Sequence, residues 1–440
     1  MAERRTVRYA HITGWGKYVP TKVVTNQDLS RSVDTSEEWI VTRTGIRERR
    51  IAASTKETTA TMSIAAAKDA LEMAGVAPGE LDLIIVATVT PEYFLPATAC
   101  LVQDALGAEN AGAFDLSAGC SGFVYGLALG SQAIASGAQN RVLVIGAETL
   151  SRIVNWHDRE TCVLFGDGAG AAVLQGSEEP GGVLSTLIRA DGSGGESLIV
   201  PAGGSHQPPT MDTVAMGLHY IKMNGRDVYK FATRVMDKAA RQVVADAGLT
   251  LQDVDLFIPH QANMRIIQAA ARALEMPMEK FFINLDKYGN TSAASIPIAL
   301  CEAVDAGRIK PGDHVVLVSF GAGLTWAAAV IQWGVPKPPV PTWRRTLDGL
   351  RYVLAGIRSR ARRLQRRVEA ILFGSPEPQT IDLGEKPAAR PVTPPRKPEA
   401  HEVNTLREPG EQVAEKPEIH EASEKPETRQ VSEKPGESGP

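Results

Sequence analysis

Cysteine is scarce in this chain, four in 440 residues. That is too few for a disulfide scaffold, and their spacing fits no zinc pattern. No stretch reaches 18 uninterrupted apolar residues, which argues against a membrane-spanning helix. The opening MAERRTVRYAHITGWGKYVP carries charge but no apolar run of the kind a secretory signal needs. Net charge is small as well, −4 with a pI near 6.1. Nucleic-acid binding by bulk electrostatics is therefore not expected. These absences leave a reducing-compartment, soluble, cytoplasmic protein as the expectation. Aromatics are only 5%, but apolar residues reach 43% and charged ones 22%, enough for a real core. At roughly 100–200 residues per domain, the length allows one large domain or two ordinary ones with appendages.

Composition breaks sharply after Val335. Residues 1–335 read as globular. The following PKPPVP holds four prolines in six residues, which forbids helix and suits an extended linker over 336–342. Trp343 to Phe373 then carry nine arginines and two acids, and an apolar stripe runs through Leu347, Leu350, Leu354, Ile357, Ala361, Leu364, Val368 and Ile371. Steps of three and four make this a basic amphipathic helix. From Gly374 onward there is no Phe, Trp, Tyr, Met or Cys, and Glu-Lys-Pro recurs four times. Such a segment cannot bury enough apolar surface to offset its ordering entropy, so disorder is expected over 374–440.

The globular part contains a repeat. Ala67–Ile85 aligns without gaps with Ala240–Ile258 at an offset of 173, and RVLVIGA (141–147) pairs with HVVLVSF (314–320) at the same offset. FGDGAGAAVLQ (165–175) resembles FGAGLTWAAAVIQ (320–332), which implies about 18 extra residues between the last two strands of the first copy. Each copy reads as amphipathic helices alternating with apolar strands. The expectation is an α/β fold of two duplicated halves, 1–175 and 176–335, with mostly parallel sheets covered on both faces. Sites in such folds lie at strand carboxyl ends, where helix N-termini also point.

Three residues fall at such places. Cys120 follows the strand Ala113–Leu116 and precedes the helical stretch Ser121–Ser136, so the positive helix end is expected to favour its thiolate. Cys100, Cys162 and Cys301 read as packing residues instead. His260 follows a buried strand in DLFIPHQANMRII and precedes a helix starting near Asn263. Asn290 lies in a Gly-Asn turn opening a helix, three residues from the repeat equivalent of Cys120. Each has a bland reading: a buried thiol, a structural histidine, a turn asparagine. Two decoys fail. Phe123 occupies the last position of a would-be G-x-S-x-G, and Gly166-Asp-Gly-Ala-Gly lacks the Lys-Ser/Thr of a phosphate loop.

The segments SEEWIVTRTGIRERRI (36–51), DLSAGCSGFVYGL, LFGDGAGAAVL, IPHQANMRII, YGNTSAASIP and SFGAGLTWAAA together resemble the β-ketoacyl-acyl-carrier-protein synthase III family, over about Val7 to Trp333. The resemblance implies a thiolase-like fold with layered αβαβα order and a homodimer. It places the family's Cys-His-Asn set on Cys120, His260 and Asn290, with oxyanion amides at Cys120 and Ala322 and Phe320 alongside. Ser319-Phe320-Gly321 stands where thiolases carry a second cysteine, so the decarboxylating version fits better. The implied substrates are acyl-CoA and malonyl-acyl-carrier protein, with no metal or redox cofactor.

By the same resemblance Trp39, Arg43 and Arg159 hold CoA, and Asn263 touches its pantetheine. Gln261 and Arg265 meet the carrier protein, and Phe94 and Leu95 line the acyl pocket across a dimer interface. The implied activity is an acyltransferase-class condensing enzyme that initiates type II fatty-acid synthesis. Acyl transfer to another acceptor, or starter loading for a polyketide, is the same-fold alternative; an inactive carrier-protein or membrane scaffold is the different-class one. The helix over 343–373 departs from the family. It is expected to dock on an anionic membrane surface or protein partner; a coiled-coil contact and a helix resting on its own body compete.

Overall fold

The computed structural model describes residues 7–334 and 342–373. These belong to one compact unit. The expected disordered tail, 374–440, and the expected linker apart from Thr342 lie outside the described residues.

Two twisted sheets carry the fold. The first contains β1 (Tyr9–Tyr18), β2 (Leu83–Ala87), β3 (Gly112–Leu116), β4 (Arg141–Thr149) and β5 (Asp167–Ser177), in the order β1-β5-β4-β2-β3. The second contains β6 (Gly182–Ala190), β7 (Leu256–Pro259), β8 (His314–Gly321) and β9 (Thr325–Gln332), in the order β7-β8-β9-β6. The repeat survives as register. Ile85 of β2 faces Val144 of β4, and 173 residues on, Ile258 of β7 faces Leu317 of β8.

Three expectations need correcting. The sheets are mixed rather than mostly parallel: β1, β4 and β5 pair antiparallel, as do β6, β8 and β9. The last two strands of each half join as hairpins, which reverse the chain. The insertion is also shorter than expected. Val144 faces Ala172, 28 residues on, while Leu317 faces Ala329, 12 residues on, so the first copy is longer by 16. Lastly, β5 runs to Ser177, so a boundary after 175 would cut a strand; the halves join between Ser177 and Gly182.

Helices fill the remaining layers. Gly122–Ala135 (here α4) and Ser295–Asp305 (α7) lie between the sheets. There Phe123, Val124 and Leu127 meet Ile296, Ala299 and Leu300, all with at most 1% exposure. Burying one such side chain stabilises by about 1.5–3 kcal/mol. Outside the first sheet pack α2 (Thr59–Ala74) and α3 (Thr98–Leu106); outside the second pack α5 (Gly225–Asp246) and α6 (Met264–Leu274). The order is αβαβα, as the resemblance implied. Helix α1 (Glu37–Thr44) packs against α6, and α8 (Thr342–Phe373) rests on α3.

Candidate active site

The duplication places two similar turns against each other. Before α4 the chain makes a single 3₁₀ turn, Gly119–Ser121; before α7 it makes the same turn at Ser292–Ala294. Gly119 has φ +56°, and its repeat equivalent Ser292 has φ +48°. A serine held in that region costs about 1–3 kcal/mol and persists only where its surroundings enforce it. Here the Ser292 amide donates to Asn290 Oδ1 at 2.8 Å. With Oδ1 occupied, the Nδ2 end of the carboxamide is left to donate. The Asn290 backbone is fixed too, its amide donating to the Leu164 carbonyl at 2.8 Å.

His260 sits at the carboxyl end of β7, its amide donating to the Val318 carbonyl at 2.8 Å. The imidazole is 1% exposed, and neither ring nitrogen has a hydrogen-bond partner. Phe320 meets it edge-on, with centroids 5.3 Å apart. Burial alone pushes its pKa down to about 3, so the ring is neutral at physiological pH.

Cys120 is a free thiol on the first turn, 9% exposed. Its expected thiolate is not the resting form. Burial outweighs the hydrogen bond from Ser292 and pushes the thiol up to about 12. A buried anion lacks the solvation that a helix end supplies only in part. The thiol must therefore lose its proton as it attacks.

Backbones crowd this turn. A Cβ at Gly119 would come within 2.7 Å of the Ala322 nitrogen, and one at Gly321 within 2.4 Å of the Cys120 nitrogen. The two expected oxyanion amides, of Cys120 and Ala322, are thus drawn to one place. Gly321→Ala is expected to displace the Cys120 turn and slow its acylation about 10²-fold. Intact-mass rates with the parent's circular dichroism retained would check this.

Cys120, His260, Asn290 and Phe320 line a single cleft of about 870 Å³. Its mouth is basic: Arg43, Arg159, Arg226 and Arg265 against Glu160. Trp39 and Arg43 lie four apart on α1, and so share a face. The Arg43 guanidinium stands 4.3 Å over the indole ring, and that of Arg159 5.4 Å from its centroid. Asn263 caps α6, accepting from the Arg265 amide, and donates to the Arg43 carbonyl at 3.1 Å. The cleft thus gathers Trp39, Arg43, Arg159, Asn263 and Arg265.

Other expected positions fall elsewhere. Gln261 is 1% exposed and spends its carboxamide on Pro259, Phe282 and Asn284. It braces the His260 turn and has no surface to offer a carrier protein. Phe94 and Leu95 are 87% and 84% exposed and do not line the cleft of their own chain. Cys100 is exposed rather than packed, while Cys162 and Cys301 are buried.

Sequence reading missed Glu148 and Arg49. Glu148 is fully buried at the end of β4, accepting from the Val89 and Thr90 amides and from the Thr88 and Thr90 hydroxyls. Burial raises its pKa to about 7, and Ser292 bonds to it as well as to Cys120. Arg49, also fully buried, donates to the Val163 carbonyl at 2.7 Å and pins the inserted loop that carries Arg159. A charged residue closing an apolar strand was the signal for Glu148.

Comparison with known proteins decides the family. Residues 114–192 match the family described as 3-oxoacyl-[acyl-carrier-protein (ACP)] synthase III, and 244–333 match its C-terminal part. A β-ketoacyl-[acyl-carrier-protein] synthase III of Symbiobacterium thermophilum is 58% identical over 74% of this chain and 99% of its own length. The chain belongs to the β-ketoacyl-acyl-carrier-protein synthase III family. A second synthase III, from Caldanaerobacter subterraneus, is 57% identical over 74% of this chain and 98% of its own. The crystal structure of the Aquifex aeolicus 3-oxoacyl-[acyl-carrier-protein] synthase III superposes with a TM-score of 0.68 at 50% identity, covering 74% of this chain and all of that one. A synthase III core therefore accounts for about three-quarters of this chain.

Proposed function

We propose that this synthase III joins a short acyl-CoA to malonyl-acyl-carrier protein with loss of carbon dioxide, the initiating condensation of type II fatty-acid synthesis. The convergence of Cys120, His260 and Asn290 in one cleft carries this reading. Cys120 Sγ attacks the acyl thioester while its proton passes to the neutral His260 ring. The C–S bond to CoA then breaks, and CoA leaves with that proton. The Cys120 and Ala322 amides receive the oxyanion charge.

Malonyl-carrier protein enters next. His260 and Asn290 Nδ2 donate to its thioester oxygen, so the pair of electrons released as carbon dioxide departs rests on an enolate. The enolate carbon attacks acyl-Cys120, the Sγ–C bond breaks, and β-ketoacyl-carrier protein leaves. Cys120 recovers a proton from solvent, the one proton the overall reaction consumes. A neutral imidazole serves both stages, accepting in one and donating in the other. No step is routed through a cofactor.

The basic mouth suits the phosphates of CoA and an acidic carrier protein. Trp39, with the Arg43 and Arg159 guanidinium groups held near its ring, offers its indole to the adenine. Trp39→Ala is expected to raise KM for acyl-CoA about tenfold with kcat little changed, since that contact serves ground state and transition state alike. Steady-state assays with acyl-CoAs of increasing length test the whole reading. Carbon dioxide and β-ketoacyl-carrier protein should appear with a short chain; acyl transfer without carbon dioxide would overturn it.

A homodimer completes the reading. Strand β3 is an open edge of the first sheet, with Phe114 39% exposed, and Phe94 and Leu95 are exposed on the loop before α3, whose first amides donate to Asp115 of β3. An unpaired edge with apolar neighbours supports pairing with a second copy, which would deliver Phe94 and Leu95 to the partner's acyl pocket.

A further inference from the structure

Helix α8 docks on the synthase by its polar side. Ala355 is 6% exposed against Gly107, and Ser359, 4% exposed, donates to Asp104. Arg358 and Arg362 pair with Glu109 at 2.6 and 3.3 Å, and Arg363 with Asp104 at 3.4 Å. Tyr352 lies 4.7 Å under the Lys68 ammonium. Helix α8 thus does rest on its own body, but not through the stripe read from the sequence. At about 100° per residue, the docked positions centre on the side of the helix opposite that stripe.

The outward side is apolar. Val353, Leu354, Ile357, Leu364 and Val368 are between 44% and 62% exposed. They span an arc of about 100°, the width of a face that globular helices normally bury. Arg360 and Arg367 border one margin of that arc. The segment holds nine arginines and two acids, with no lysine.

We propose that α8 is an interfacial helix that seats this synthase on a bilayer of anionic phospholipid. Charge selects this occupant. Two copies meeting along the stripe would set arginine-rich faces against each other even with Arg358, Arg362 and Arg363 paired to Glu109 and Asp104, whereas anionic headgroups complement the arginines on its margin. Guanidinium groups also pair with phosphate in two-bond geometry, which suits phosphodiester headgroups. The apolar arc then lies in the acyl boundary, and the body stays on the water side because its contacts use the reverse of the helix. No helix among the described residues is long and apolar enough to cross a membrane, so contact is at the surface.

Flotation of the full chain with vesicles tests this. The parent should float with phosphatidylglycerol–phosphatidylcholine vesicles at low salt, less at high salt, and far less with phosphatidylcholine alone. The double variant Ile357→Glu/Leu364→Glu should cut the floated fraction at least about tenfold, since each buried apolar side chain becomes a charge in the acyl boundary. Its condensing activity in solution should be unchanged, which separates lost docking from misfolding and from failure of the enzymatic reading. Equal flotation of parent and variant, equal binding to the zwitterionic vesicles, or no flotation of the parent would each overturn the proposal. So would a parental oligomer that the double variant splits while vesicle binding is absent, because the stripe would then belong to a second copy.

Discussion

Asn290→Ala is expected to leave Cys120 fully acylated by acyl-CoA while lowering condensation with malonyl-carrier protein 10²–10³-fold, about what the loss of one preorganised donor costs. The split follows from where charge develops. In acylation the proposed oxyanion partners are the Cys120 and Ala322 amides, drawn together by the Gly119 and Gly321 turns. In decarboxylation the charge forms on the malonyl thioester oxygen, which the reading gives to Asn290 and His260. Asn290 can hold that role because the Ser292 amide occupies its Oδ1, so Nδ2 is the end presented. Asn290→Asp is the sharper variant. It keeps the shape but replaces a donor with a carboxylate, and should be no better than alanine. Intact-mass kinetics of acylation and carbon dioxide release would separate the stages. Equal loss in both would place Asn290 in the fold of the site rather than in the second half-reaction.

The second large effect is on stability against pH, with opposite signs at two buried groups. His260 has a pKa of about 3 in the fold against 6.5 when exposed. The unfolded chain therefore takes up its proton first, and stability present above pH 6.5 is lost as pH falls toward 3. Glu148 runs the other way, raised from 4.5 to about 7. Its contribution is present below pH 4.5 and lost as pH rises through 7. At 1.36 kcal/mol per unit these are on the order of 5 and 3 kcal/mol. Relative to the parent, His260→Gln should gain stability as pH falls from 6.5, and Glu148→Gln as pH rises from 4.5. Urea midpoints at stepped pH would show the two differences diverging. Curves parallel to the parent's would contradict the burial of these ionisations.

Much of this architecture was legible because duplication writes itself into sequence. The offset of 173 that aligns Ala67–Ile85 with Ala240–Ile258 also relates the observed pairs Ile85–Val144 and Ile258–Leu317, so the repeat that marks the elements extends to their register. The cleft residues were legible because Cys120, His260 and Asn290 each sit where a strand or turn hands over to a helix. Reading failed where contact is made in three dimensions alone. Ser292 touches Glu148 and Cys120 from another half of the chain, and nothing local marks it apart from its place opposite Gly119. Gln261 neighbours His260 in sequence, yet its amide turns inward because three backbone groups there need partners. Periodicity told which residues of α8 share a face. It could not tell which face the body holds, since that depends on Asp104 and Glu109 of a distant segment. The strand directions were misjudged because apolar runs look alike in parallel and antiparallel pairs.

A single-turnover experiment tests the two-stage chemistry most directly. The enzyme would be mixed with one equivalent of labelled acyl-CoA, its acylated peptide mapped, and the isolated acyl-enzyme then given malonyl-carrier protein. Label should appear on Cys120 alone, stable until the second substrate arrives, then be transferred entire into β-ketoacyl-carrier protein as one carbon dioxide is released per label lost. Label on another cysteine, or its discharge by malonyl-carrier protein without carbon dioxide, would contradict that chemistry.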